Sequence, residues 1–240
     1  MAIDYEKAFK NALGFVKNKN RFGIMFLVNL FSVFILGVPF YLLFGGITSL
    51  FGVAILISFL VIFITNTFFD GLFVHNFKNP KSVGKSARFV FKIFLKLLTA
   101  NAFIALGSLI LALIPYAGIL FVILFVFAVF FVNQEIVLKK REPFKAIRSS
   151  VNIFRSHWLY VVITFLLSTV VVTILILIFS IPILLFIGVG VTKNILLNMF
   201  IQQHLLEFII TVLILLIGFA FAKLFDIGLR TSVYLQIKRR

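Results

Sequence analysis

Six stretches of this chain are each long and apolar enough to cross a bilayer, and no other feature restricts the fold as tightly. They run from about Phe22 to Phe44, Ile47 to Phe69, Ile93 to Ile114, Tyr116 to Leu138, Trp158 to Ile187 and Leu205 to Phe225. A spanning helix needs about 20 predominantly apolar residues. The fourth stretch is the clearest, because Ile119 to Val132 holds no charged or amide side chain. The fifth is overlong for one bilayer, and tilt or a kink expected at Pro182 absorbs the excess. Of the 240 residues, 62% are apolar and 12% charged. An average soluble domain is about half apolar and about a quarter charged, so a water-soluble globule is excluded. Cysteine is absent, which removes a disulfide framework, thiolate chemistry and cysteine-ligated metals. The N-terminal residues lack a short apolar core with a small-residue cleavage site. No signal peptide is expected, and the first span is expected to insert directly.

The charge balance is strongly basic, 23 Lys and Arg against 7 Asp and Glu, for a net +16. In a soluble chain such an excess points to nucleic acid, but the placement here excludes it. Lys7, Lys10, Lys17, Lys19 and Arg21 precede the first span. Lys78, Lys81, Lys85, Arg88, Lys92 and Lys96 lie between spans two and three, and Lys139, Lys140, Arg141, Lys145, Arg148 and Arg155 between four and five. Lys223, Arg230, Lys238, Arg239 and Arg240 lie at the C-terminal end, which leaves Lys193 alone on the other side. The positive-inside rule therefore predicts a multi-pass protein of the cell membrane with both termini cytosolic.

The basic segments look like copies of one another. Ala8 to Asn18 aligns without gaps on Ala146 to Ser156, and Val83 to Ile93 forms the middle copy. Cations recur at Lys10, Lys85 and Arg148 and at Lys17, Lys92 and Arg155, with small residues at Ala12, Ala87 and Ser150. Pro39, Pro115 and Pro182 close the first span of each unit, while Pro80 and Pro143 open the second and third basic segments. The expected fold is an all-α integral membrane protein with six transmembrane helices in a single domain, residues 1–240. It is built as three parallel repeats, 1–79, 80–142 and 143–240, each an amphipathic helix plus a transmembrane hairpin, in a pseudo-threefold bundle. The third unit diverges most, with a longer outer loop from Gly188 to His204.

Each basic segment has helical periodicity. Phe144, Ile147, Val151, Phe154 and Trp158 mark an apolar stripe, opposed by Lys145, Arg148, Asn152 and Arg155. Such helices are expected in the headgroup plane, with their cations on phosphates, each worth about 1 kcal/mol near an anionic leaflet. The candidate headgroup-binding residues are Lys10, Lys17, Lys85, Arg88, Lys92, Arg148 and Arg155. Two readings stand: the segments only fix topology and anchor the bundle, or they recognise an anionic lipid or phosphate-bearing ligand.

The even spans carry polar residues at matching ends: Asn66 and Asp70, Asn133 and Glu135, and Asp226. These acids fall near helix C-termini, where the macrodipole disfavours negative charge, so cationic partners such as Lys223 are expected. Alternatively the five line a polar cup that binds a cation or relays protons. Asn29 and Asn101 lie within odd spans and are expected to hydrogen-bond between helices. Gly84, Lys85 and Ser86 resemble the end of a phosphate-binding loop, but Asn79 stands where that loop requires glycine. His75, His157 and His204 are dispersed and form no metal motif. No catalytic motif is present, and no metal or cofactor is expected.

The stretch from Ile136 to Trp158, with its Ala146-Ile147-Arg148-Ser149-Ser150 core, resembles a pattern in prokaryotic six-span membrane proteins. These include the YciC-like family and the membrane domain attached to some glycerophosphodiester phosphodiesterases. The resemblance implies a six-span membrane domain and transfers no catalytic residue. Two functions follow: a non-enzymatic protein that organises or binds anionic lipids or partner proteins at the cytosolic face, or a transporter or lipid-handling protein with a cytosol-facing polar cavity.

Overall fold

The computed structural model describes residues 3–44, 47–80, 82–192 and 197–238. These form nine helices and no strand: α1 (Tyr5–Val16), α2 (Lys19–Phe44), α3 (Thr48–Lys78), α4 (Val83–Ala112), α5 (Gly118–Ala128), α6 (Val132–Lys139), α7 (Pro143–Thr192), α8 (Leu197–Gln203) and α9 (Leu205–Ile237). Six segments are long and apolar enough to cross a membrane: α2, α3, α4, α5 with α6, α7 and α9. Lys81, Lys193, Arg239 and Arg240 lie outside the described residues.

The three basic segments take different forms. The first is a separate helix, α1, capped by the Asp4 carboxylate on the Lys7 amide at 2.8 Å. It stops because Asn18 starts a new helix, its side-chain oxygen accepting from the Arg21 amide at 3.2 Å. In the aligned third copy the chain kinks at His157 (φ −138°, ψ 34°), one residue past the matching Ser156. The second copy has Ile93 at that position, which offers no cap, and α4 runs through as one helix from its Ser82 cap to Ala112. The expected surface helix is here the extension of a span. At about 1.5 Å per residue, 30 residues exceed the ~30 Å hydrocarbon core.

The prolines also depart from expectation. Pro39 and Pro182 sit inside α2 and α7 instead of ending them, and the non-helical residue of α7 is His157, not Pro182. Pro115 does fall between helices, and Pro143 is the first residue of α7, where its missing amide hydrogen is not needed. The predicted outer loop from Gly188 is largely helical in its described part, since α7 continues to Thr192 and α8 follows.

The span that reads most cleanly is the one that breaks. Val129 and Phe131 leave helical geometry (φ −98°, ψ 7° and φ −106°, ψ 14°), separating α5 from α6. The four residues from Val129 to Val132 are buried. Lipid offers no hydrogen bond to freed backbone groups, so such a break survives only where protein supplies one. Ser150 of α7 supplies it: its hydroxyl donates to the Ala128 carbonyl at 2.8 Å and accepts from the Phe131 amide at 3.1 Å.

The core sits at the end of the bundle where the chain termini meet. There the Asp4 amide donates to Gln236 Oε1 at 2.9 Å, and Gln236 Nε2 donates back to the Asp4 carbonyl at 3.0 Å. The core includes Phe73, Leu97, Ile136, Leu224, Phe225 and Tyr234, all fully buried. Large apolar side chains further along the spans, such as Phe34, Leu56, Leu109 and Leu185, point outward. Helices in lipid gain little by hiding them, and association rests on close packing at small residues. At Gly228 a Cβ would lie 3.1 Å from the Ala12 Cα, so α1 and α9 touch backbone to backbone.

Replacing Ser150 by Ala strands the buried Phe131 amide and the Ala128 carbonyl, and should destabilise the protein by about 1–3 kcal/mol. Ser156→Ala, which removes a hydroxyl bonded only to its own helix, should change stability by less than about 0.5 kcal/mol. Thermal unfolding in detergent checks both.

Candidate functional site

Between α7 and the end of α9 lies a cleft of about 570 Å³ with an unusual share of positive charge. Three local features build it. Lys140 closes α6 in the left-handed conformation (φ 55°), which turns the chain and leaves only Arg141 and Glu142 before α7 begins at Pro143. Arg141 is thereby held beside the C-terminal turn of α9. On α7, Lys145, Arg148 and Asn152 recur at helical spacing and share one face with Ser149 between them. From α9, Ile237 and its C-cap residue Lys238 form the opposite wall.

The charges are not equivalent. Glu135 on α6 is wholly buried, and two of the cleft's cations neutralise it: Arg141 Nη1 lies 3.1 Å from Oε2 and Lys238 Nζ 3.1 Å from Oε1. Both contacts are charge pairs without aligned hydrogen bonds. Arg141 and Lys238 therefore face the buried carboxylate on one side and the cleft on the other. Lys145 and Arg148 are exposed and have no acidic partner among the described residues. Four cations against one carboxylate leave a surplus of about three charges, which suits an anion. A smaller cleft of about 390 Å³ lies where α3 meets α4, lined in part by His75, Lys78, Ser82 and Lys85.

The seven cations picked from sequence are all exposed, and they do not converge. Arg148 lines the main cleft and Lys85 the smaller one. Lys10 pairs with Glu6 at 2.5 Å on α1, while Lys17, Arg88, Lys92 and Arg155 stand on the helix surfaces. Three of the main cleft's cations, Arg141, Lys145 and Lys238, were not among those seven, although periodicity had placed Lys145 on one face with Arg148. Their clustering in sequence was visible, but the proximity of α9 to the start of α7 was not. Arg21 differs again: it is buried, stacks on Phe15 at 4.4 Å and donates from Nε to Asn76 Oδ1 at 2.6 Å.

Four of the five polar-cup residues have partners of their own. Asp70 pairs with Lys223 of α9 at 3.0 Å. Asp226 pairs with Arg230 at 2.6 Å and accepts a hydrogen bond from Ser168 of α7. Asn133 accepts from Asn101 Nδ2 at 3.1 Å, an interhelical bond between α4 and α6. Asn66 lies one turn before Asp70 on α3, and Asn29 leaves its Nδ2 without a partner. A cavity of about 250 Å³ between α7 and α9 holds Ser168, Thr173, Lys223, Asp226 and Arg230, but none of the other four. No protein-family model, curated protein or solved structure matches this chain.

A double-mutant cycle on Asp70→Asn and Lys223→Met should return a coupling of about 1 kcal/mol in unfolding free energy, as for residues in direct contact. Additivity of the two single losses would show that the pair contributes nothing to the fold.

Proposed function

We propose that this is a non-enzymatic multi-pass membrane protein that binds anionic lipids at the cytosolic face. The cleft between α7 and α9 carries this reading, because two cations without acidic partners among the described residues line it beside two more anchored by Glu135. Its level fits a headgroup. Trp158, exposed and just past the kink at His157, suits the interfacial belt, and the cleft lies on the polar side of it. The one-sided distribution of Lys and Arg makes that side the cytosolic one, with both termini.

The threefold repeat belongs to the same reading and has its own support. The starts of the three basic segments each pack on an even span: α1 on α9, α4 on α3, and α7 on α5 and α6. At matching positions Ala12 meets Gly228 of α9, and Ser150 meets the break in the fourth span. The second reading, a transporter or lipid-handling protein, draws on the cavity holding Asp226, whose lining mixes Ser168 and Thr173 with Val172, Ile176 and Phe219.

In nanodiscs, thermal stability should rise as phosphatidylglycerol replaces phosphatidylcholine, and the gain should fall as salt is raised. Stability indifferent to both lipid charge and salt would end the lipid-binding reading.

A further inference from the structure

The cleft's cations arrive from three directions: Lys145 and Arg148 from α7, Arg141 from the α6–α7 connection, and Lys238 from the end of α9. The ligand that suits them can be specified further, on the premise that the cleft binds anionic lipid at all. A phosphodiester headgroup presents two charged oxygens and a single negative charge. It satisfies Lys145 and Arg148 and leaves most of the remaining surplus unmatched. A phosphomonoester presents three terminal oxygens and a charge near −1.5 to −2 at neutral pH. Three oxygens spread over a tetrahedral face suit donors from more than one side, and the cations lining this cleft come from three segments of the chain. Guanidinium groups add paired, directional bonds to such oxygens, and two of the four cations are arginines.

We infer that the cleft between α7 and α9 seats the phosphomonoester headgroup of a membrane lipid, with Lys145 and Arg148 as its primary contacts and Arg141 and Lys238 completing the cage. Glu135 is a positioning residue in this scheme. By holding Arg141 and Lys238 at 3.1 Å each, it keeps two long side chains against the cleft wall without entering the cleft itself. The volume, about 570 Å³, is ample for a larger headgroup such as phosphoglycerol, so discrimination rests on charge and oxygen count instead of size. The position beside Trp158 makes the source a lipid in the leaflet.

The test is native mass spectrometry of the full chain released from nanodiscs holding equal amounts of phosphatidate, phosphatidylglycerol and phosphatidylcholine. Phosphatidate should be retained about tenfold over phosphatidylglycerol, the scale set by one or two added charge-assisted hydrogen bonds. Lys145→Gln with Arg148→Gln should remove that preference. Lys7→Gln with Lys19→Gln, equal in charge but on α1 and α2, should preserve it, and equal melting temperatures for the two double variants show that both are folded. Equal retention of the two acidic lipids, with both above phosphatidylcholine, would overturn the monoester seat and leave the broader lipid reading intact. Retention of neither above phosphatidylcholine would overturn both. Loss of preference in the Lys7 and Lys19 variant would overturn the cleft as the seat, and displacement of phosphatidate by inorganic phosphate at millimolar levels would overturn the lipid source.

Discussion

A backbone amide or carbonyl inside a bilayer has no water to bond, and the arrangement of this bundle depends on how that constraint is met at one place. The fourth span gives up helical geometry between α5 and α6, and the Ser150 hydroxyl bridges both sides of the gap. That bridge ties the basic start of α7 to the middle of another span. It also frees α6 to take its own direction, which sets Glu135 beneath Arg141 and Lys238. The Ser150 bridge and the Glu135 ion pairs therefore both bear on the cleft, beside the direct packing of α7 on α9.

Charge follows a comparable logic. The three acids toward the C-terminal ends of the even spans each have a cation at ion-pair distance: Asp70 with Lys223, Glu135 with Arg141 and Lys238, Asp226 with Arg230. A charge left alone at this depth is costly, and pairing reduces that cost. Because acids are so few, the pairing consumes only a small part of the positive charge. The remainder stays on helix surfaces and in the cleft, where it is available to an anion.

Close approach supplies the other half of the packing. With lipid as apolar as leucine, burying leucine brings little gain, and the helices meet where side chains are small. Gly228 against Ala12 brings α1 onto α9, and the reciprocal hydrogen bonds between Asp4 and Gln236 hold the two chain ends on one face. Large residues such as Phe34 and Leu56 remain outside, which is where a lipid environment accommodates them.

The number of spans, their apolar stretches and the gathering of cations were legible in the sequence, because run length and charge placement are properties of the chain itself. The two chain ends meeting on one face follows from the same count of six. The break in the fourth span was not legible: Ile119 to Val132 is uniformly apolar, and its interruption depends on a hydroxyl 19 residues beyond Phe131. Nor was the continuity of α4 past Ile93, where periodicity resembled that of the separate α1 but the capping side chain was lacking. Four of the five candidates for a polar cup have partners of their own, and equivalent positions in repeated spans need not face one another. Helix formation in lipid is a local requirement met within each segment, whereas a cleft or an ion pair exists only once separate segments have been brought within a few ångströms.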